Sequence, residues 1–369
     1  MSNRQVYIPG QLFTGDNWLS GHAVVTTGTE ITAVIPANLL PDDAVVTKLP
    51  GISMVPAFID VQLYGASKRL LSAYPDTESL FLLNESNRRS GTALCLPTIA
   101  TNTQEVCLKA IDAVKAYHAA GGKGIYGLHL EGPWLHPVRR GAHIESLIHP
   151  PTEDEVARLL DYGADVIKMI TLAPEVCTEH IIRRLLNAGI ILSAGHSNAT
   201  YAEAVNGFSR GITAVTHLFN AMSPLHHREP GLAGAAMDDK RIMSSIIPDG
   251  YHVDYAAVRI AKAAMGERLF AITDAVTETD QGPYQHTPAG DKYEAAGILS
   301  GSALTMERCL HNLVAHVRLD ESEALRMCSL YPARVLRLDH QLGKIEPGYK
   351  ACFTLLDKQL QVKEVIGFA

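Results

Sequence analysis

Eight short apolar runs, spaced along the middle of the chain, constrain its fold more than any other feature. They begin near residues 55, 93, 125, 166, 190, 212, 244 and 269. Several are separated by helix-patterned stretches, such as Glu153-Asp-Glu-Val-Ala-Arg-Leu-Leu and Glu179-His-Ile-Ile-Arg-Arg-Leu-Leu. Gly189 follows the second of these, where a helix commonly stops. Eight strand–helix alternations between about residues 51 and 335 predict an α/β chain with a TIM-type (β/α)8 barrel. An open doubly wound sheet needs fewer strands, and no GxGxxG follows the first run, so a dinucleotide crevice lacks support.

The two ends read differently. Gln5-Val-Tyr-Ile-Pro, Ala23-Val-Val-Thr-Thr and Ile31-Thr-Ala-Val-Ile are β-type segments parted by turn signals. Ala351-Cys-Phe-Thr-Leu-Leu and Val362-Lys-Glu-Val-Ile match them after Pro347-Gly348. Chain ends often lie close together. A small β-sandwich from 1–50 and 340–369, beside a barrel spanning 51–339, is therefore expected. At 369 residues, 47% hydrophobic and 19% charged, the chain supplies such a core easily.

The net charge of -7 argues against nucleic acid as a partner. No run approaches the ~18 apolar residues of a membrane span, and Met1-Ser-Asn-Arg-Gln-Val lacks a signal-peptide core. The six scattered cysteines form no CxxC pair and read as reduced thiols, so a cytoplasmic protein is expected.

Chemistry concentrates where the runs end. Ile125-Tyr-Gly-Leu-His-Leu-Glu131, Ile190-Ile-Leu-Ser-Ala-Gly-His196 and Ile212-Thr-Ala-Val-Thr-His217 close on metal-ligand residue types, and Leu269-Phe-Ala-Ile-Thr-Asp274 closes on a carboxylate. Barrel active sites are built at the carboxyl ends of strands. One carboxylate and two imidazoles make a normal ligand set for a hydrolytic divalent metal, and Asp274 beside them could move protons. Each residue alone is more often an ordinary hydrogen-bonded loop residue. Four such ends together favour coordination, because unpaired buried carboxylates and imidazoles are costly.

Longer motifs carry a family resemblance. His129-Leu-Glu-Gly-Pro-Trp, Thr171-Leu-Ala-Pro-Glu, Ser193-Ala-Gly-His-Ser-Asn-Ala-Thr, Thr216-His-Leu-Phe-Asn-Ala-Met and Arg228-Glu-Pro-Gly-Leu-Ala-Gly resemble segments of the N-acetylglucosamine-6-phosphate deacetylase family. So do Asp249-Gly-Tyr-His-Val-Asp, Thr273-Asp-Ala, Leu299-Ser-Gly-Ser and Leu330-Tyr-Pro-Ala-Arg, in the same order, from about residue 50 onward. That family lies in the amidohydrolase superfamily. The resemblance implies a barrel beside a small β-sandwich, a homodimer, and one divalent metal per subunit. Zinc is expected, with iron, manganese or cobalt as alternatives.

By position, Glu131, His196 and His217 resemble the family's metal ligands and Asp274 its catalytic acid/base. Ala142, His143 and His252 resemble sugar-contacting positions. Asn220, Ala221 and Arg228 resemble the phosphate site, with Arg228 reaching across the dimer interface. Leu299, Ser300 and Gly301 resemble a segment that closes on the sugar. The implied reaction is hydrolysis of the acetamide of N-acetylglucosamine 6-phosphate to glucosamine 6-phosphate and acetate. The alternatives are a related substrate, such as N-acetylgalactosamine 6-phosphate, or a non-catalytic sugar-phosphate-binding barrel.

One departure stands out. Most amidohydrolases carry His-x-His at the end of the first strand for a second metal. Val55-Pro-Ala-Phe-Ile-Asp-Val-Gln-Leu-Tyr-Gly65 offers Gln62 and Tyr64 instead. Neither suits a borderline cation, so a single-metal site is expected, with Tyr64 narrowing the pocket.

Overall fold

The computed structural model describes residues 4–41, 43–295 and 297–368. They group into two compact units. One holds the residues up to Asp60, Asn84–Leu94 and those from Thr305 on; the other holds Val61–Leu83 and Cys95–Leu304. The chain opens with five strands: β1 (Arg4–Phe13), β2 (Trp18–Leu19), β3 (His22–Thr27), β4 (Glu30–Pro36) and β5 (Val45–Pro56).

The barrel starts at β6 (Phe58–Leu63), which leads into a short hairpin of β7 (Gly65–Ala66) and β8 (Arg69–Leu70), then α1 (Thr77–Arg89). The alternation continues through β9 (Thr92–Ala100), α2 (Gln104–Ala119), β10 (Leu128–Glu131), α3 (Glu153–Gly163), β11 (Ile167–Leu172) and α4 (Glu179–Asn187). It ends with β12 (Ile191–Ala194), α5 (Tyr201–Ser209), β13 (Ala214–Val215), α6 (Gly231–Asp238), β14 (Met243–Ile246), α7 (Tyr255–Met265) and β15 (Leu269–Ala271). These eight strands follow one another in sequence order across one sheet. Its first and last strands meet at a parallel bridge, Leu63 to Ala275, where Asp274 N donates to Gln62 O (2.9 Å) and Tyr64 N to Ala275 O (2.8 Å). The expected barrel is therefore present and nearly closed. Its strands are short and almost wholly buried, as parallel strands covered on both faces must be. Threonines 152, 178 and 200 cap α3, α4 and α5 by accepting from backbone N–H groups in the first turn.

After β15 the chain forms an antiparallel sheet of β16 (Thr287–Pro288), β17 (Lys292–Ala295) and β18 (Ile298–Ser302). Then come α8 (Met306–Ala315), α9 (Glu321–Cys328), α10 (Leu330–Val335), β19 (Phe353–Leu356) and β20 (Val362–Ile366). Strands from both chain ends join in one seven-stranded sheet, ordered β20-β19-β5-β1-β3-β4 with β2 beside β1. The small β-sandwich expected from the sequence takes the form of this continuous sheet. Alternate residues feed two apolar clusters, Tyr7, Val24 and Phe353 in one, Val6, Ala23 and Val25 in the other. β5 was not foreseen as part of it. Most of Val45–Ile52 is exposed, so the strand lacks the apolar alternation that marks its neighbours. All six cysteines are buried thiols. Among the described residues, no helix is long and apolar enough to cross a membrane.

Candidate active site

Glu131 is the last residue of β10, and His196, His217 and Asp274 follow within three residues of the ends of β12, β13 and β15. The backbone at the last three is left-handed, with φ of 46°, 35° and 53°. Non-glycine residues held there cost on the order of 1–3 kcal/mol each, and such outliers gather at functional sites. The surroundings enforce the turn. His217 N donates to Ser245 Oγ (2.8 Å). A Cβ on Gly195 would lie 2.7 Å from Thr171 Cγ2 and 3.0 Å from Thr216 Cβ, so only glycine lets the chain pass there before His196. Beneath the mouth, His129 Nε2 meets Thr171 Oγ1 (2.7 Å), which meets Thr216 Oγ1 (2.7 Å), itself 2.6 Å from Ser193 Oγ. This buried polar layer ties β10, β11, β12 and the chain after β13 together below the site.

The four ligand-type residues converge. Glu131 Oε1 lies 3.0 Å from His217 Nε2 and 3.2 Å from His196 Nε2, and the two imidazole nitrogens are 3.1 Å apart. Glu131 Oε2 lies 3.1 Å from His143 Nε2. All are buried. Burial alone would raise the Glu131 carboxyl, but the His196 charge and hydrogen bonds from the three imidazoles outweigh it and hold it well below the usual range. Burial, then the charge on His143, pushes His196 down to about 4. Burial also opposes charge on His217, yet its bond to Glu131 prevails and raises it. Asp274 is pushed up to about 6 by burial, against the pull of His217.

Hydrogen bonds separate the histidines by role. His196 Nδ1 donates to the Arg139 carbonyl (2.9 Å), which leaves Nε2 as a lone pair in the neutral ring. At His143, the Thr101 backbone N–H donates to Nδ1 (3.3 Å). Its Nδ1 also lies 2.7 Å from Thr101 Oγ1, and its Nε2 faces Glu131 Oε2. Two cation-sized donor sets exist: Glu131 with His196 and His217, and Glu131 with His143 and His196, whose ligand atoms lie within 4.8 Å of one another. The first is the set the family resemblance marks, and its three atoms lie 3.0–3.2 Å from one another.

Gln62 and Tyr64 are in direct contact with this cluster. Gln62 Nε2 donates to Glu131 Oε1 (2.9 Å) and Tyr64 OH to Glu131 Oε2 (2.5 Å), with Asp274 Oδ1 3.3 Å from the same hydroxyl. Sequence reasoning marked both as poor ligands but did not find that they hold the carboxylate.

The cluster opens into a cavity of about 260 Å³. Ala142, His143, Asn220, Ala221, His252, Leu299, Ser300 and Gly301 line it. Arg228 does not; it is exposed, and among the described residues its guanidinium makes no ion pair. His252 gives both ring nitrogens to the protein, Nδ1 to Asp249 Oδ2 (2.6 Å) and Nε2 to the Ser300 carbonyl (2.7 Å). The Asp249 contact raises its pKa despite burial. Sequence reasoning missed a further wall formed by Leu70, Val276, Tyr284 and His286. Only tertiary contact brings these residues, from the β7–β8 hairpin and the stretch after β15, to the mouth.

Residues 53–368 match the amidohydrolase family, and residues 7–53 match the NagA composite domain. The chain belongs to the amidohydrolase family. This amidohydrolase is 34% identical over 362 residues to N-acetylglucosamine-6-phosphate deacetylase of Haemophilus influenzae, covering 95% of this chain and 94% of that one. It is 31% identical over 370 residues to N-acetylgalactosamine-6-phosphate deacetylase of Escherichia coli, covering 96% of each. Among solved structures, a mutant N-acetyl-D-glucosamine-6-phosphate deacetylase from Mycobacterium smegmatis, in complex with N-acetyl-D-glucosamine 6-phosphate, aligns with a TM-score of 0.90 and 30% identity over 99% of this chain and 98% of that one. Family membership makes the chain a metal-dependent hydrolase. The donor set fits a divalent cation. Three buried atoms, Glu131 Oε1 and two imidazole Nε2, crowd to 3.0–3.2 Å around one point, where a proton on His217 or a cation must balance them.

Proposed function

We propose that this amidohydrolase hydrolyses the acetamide of N-acetylglucosamine 6-phosphate, giving glucosamine 6-phosphate and acetate. One observation carries the reading: Asp274 and the Glu131–His196–His217 cluster open into one cavity, in a chain matched almost end to end by an enzyme of that activity. Glu131, His196 and His217 would hold one divalent metal, zinc by preference. Bound there, it would polarise the amide carbonyl and make water more acidic. Asp274 takes the proton of the attacking water on its carboxylate and returns one to the departing amine nitrogen. Its raised pKa suits a group that must both accept and release. His143 faces the cavity beside Glu131 and, with its proton on Nε2, would donate to the carbonyl oxygen as negative charge builds there. Asn220 and the Ala221 backbone serve the phosphate, joined by Arg228 from the partner in a homodimer. Arginine suits that role because its planar fork takes two phosphate oxygens at once. The enzyme works in the cytoplasm.

The Escherichia coli relative keeps the galactosamine epimer open as a second substrate. The deciding experiment compares acetate release from N-acetylglucosamine 6-phosphate and N-acetylgalactosamine 6-phosphate, before and after chelation and after adding back zinc, manganese or cobalt. We expect turnover of the glucosamine derivative, loss on chelation, and recovery with metal. No acetate from either sugar under any metal would overturn the reading.

A further inference from the structure

A hydrogen-bonded line runs along the cavity away from the ligand cluster. Asp249 Oδ2 accepts from His252 Nδ1, and His252 Nε2 donates to the Ser300 carbonyl. A carboxylate and a carbonyl can only accept, so both His252 nitrogens are spent inside the protein. The Ser300 hydroxyl then meets His286 Nδ1 at 2.9 Å. His286 is 8% exposed and lines the cavity, and among the described residues its Nε2 has no partner. Tyr284 backs it. The two rings are parallel to within 11° at 6.4 Å, and the Tyr284 hydroxyl is fixed by the Thr101 carbonyl (2.6 Å). Thus a rigidly mounted imidazole offers one unused nitrogen to the cavity, while the neighbouring His252 offers none.

We propose that His286 is a specificity-determining residue: its Nε2 hydrogen-bonds a ring hydroxyl of the bound amino sugar, with Ser300 holding the imidazole in place. The proposal rests on the cavity being an amino sugar phosphate site. Burial pushes His286 down to about 4, so the ring is neutral near pH 7. A neutral imidazole has one donor and one acceptor, which matches a hydroxyl, whereas a phosphate dianion calls for a cation. Whichever way the Ser300 bond sets the tautomer, a hydroxyl can answer it.

The test uses the wild-type enzyme and His286→Phe, His286→Asn and His286→Gln, assayed on N-acetylglucosamine 6-phosphate and its 3-deoxy and 4-deoxy analogues. An Asn amide reproduces the Nδ1 position and keeps the bond to Ser300. A Gln amide reaches the Nε2 position. We expect Phe and Asn to lower kcat/KM about three- to tenfold, mainly through KM, and Gln to restore it. One deoxy analogue should already carry that loss in the wild type and lose nothing more in the variants. If Asn restores KM, His286 merely braces Ser300 and the proposal is overturned. An equal loss on every analogue overturns it too. Absence of acetate release by the wild type counts against the deacetylase reading alone. Calorimetric binding of glucosamine 6-phosphate to the same four proteins then decides the contact, and equal affinity in all of them overturns it.

Discussion

Asp274 lies within reach of Tyr64 OH and the ligand cluster, yet among the described residues it takes no hydrogen bond from any of the imidazoles. It is therefore free to exchange protons with a substrate. Asp274→Asn keeps the shape and removes the proton acceptor. Turnover should fall by at least about 10²–10⁴-fold, while elemental analysis still finds one metal per chain. Near-normal kcat would remove Asp274 from the mechanism. Tyr64 has a different job. Its hydroxyl and Gln62 give Glu131 two uncharged donors, so the carboxylate stays ionised and oriented without relying on imidazolium alone. Tyr64→Phe removes a hydrogen bond to buried Glu131 Oε2, whose other partner among the described residues is His143 Nε2. The metal-free protein should lose about 1.5–3 kcal/mol of stability, seen as a lower urea midpoint. An unchanged midpoint would mean that the contact contributes nothing.

The element that completes the mouth is β18. Ser302 N donates to Asp274 O (2.9 Å) and Val276 N to Ser302 O (3.1 Å), so the strand is stitched to the segment carrying the acid/base. At Gly301 an added Cβ would sit 2.7 Å from Asp274 O and 2.3 Å from Val276 Cγ1. Gly301→Ala must push the strand off Asp274. We expect kcat to fall about tenfold or more, because a shift near 1 Å disturbs orientation strongly, while circular dichroism stays that of the folded protein. Wild-type kcat would show that this approach does not matter. The sequence made some elements legible and hid others, for physical reasons. The barrel strands are buried runs with polar ends, and burial leaves a mark in composition. Glu131, His196, His217 and Asp274 could be picked out because each closes such a run. The sheet of β16, β17 and β18 is short and half exposed, so no run marked it, although Leu299-Ser-Gly-Ser was noticed as a motif. The Tyr64–Glu131 bond joins residues 67 positions apart and follows only from the tertiary placement of β6 and β10 on either side of β9.

At the scale of the whole molecule, the cavity is short of positive charge for a phosphate. Among the described residues, the side chains lining it include no arginine or lysine, and Arg228 stands exposed, without an ion pair and outside the lining. A sugar phosphate carries close to two negative charges near neutral pH, so a cation from elsewhere is required if the proposed substrate is right. In the proposed homodimer, Arg228 of each chain would complete the other chain's site. This can be tested by mixing two inactive proteins. One carries Asp274→Asn and keeps its arginine; the other carries Arg228→Ala and keeps its acid/base. If Arg228 acts across the interface, each hybrid dimer has one site with both groups intact. Random re-association from denaturant should then restore about a quarter of wild-type activity. If Arg228 serves its own chain, every site in the hybrid lacks one group and no activity returns. Hybrid formation is verified independently by differently tagged chains, so a silent mixture that contains hybrids rules out the shared site.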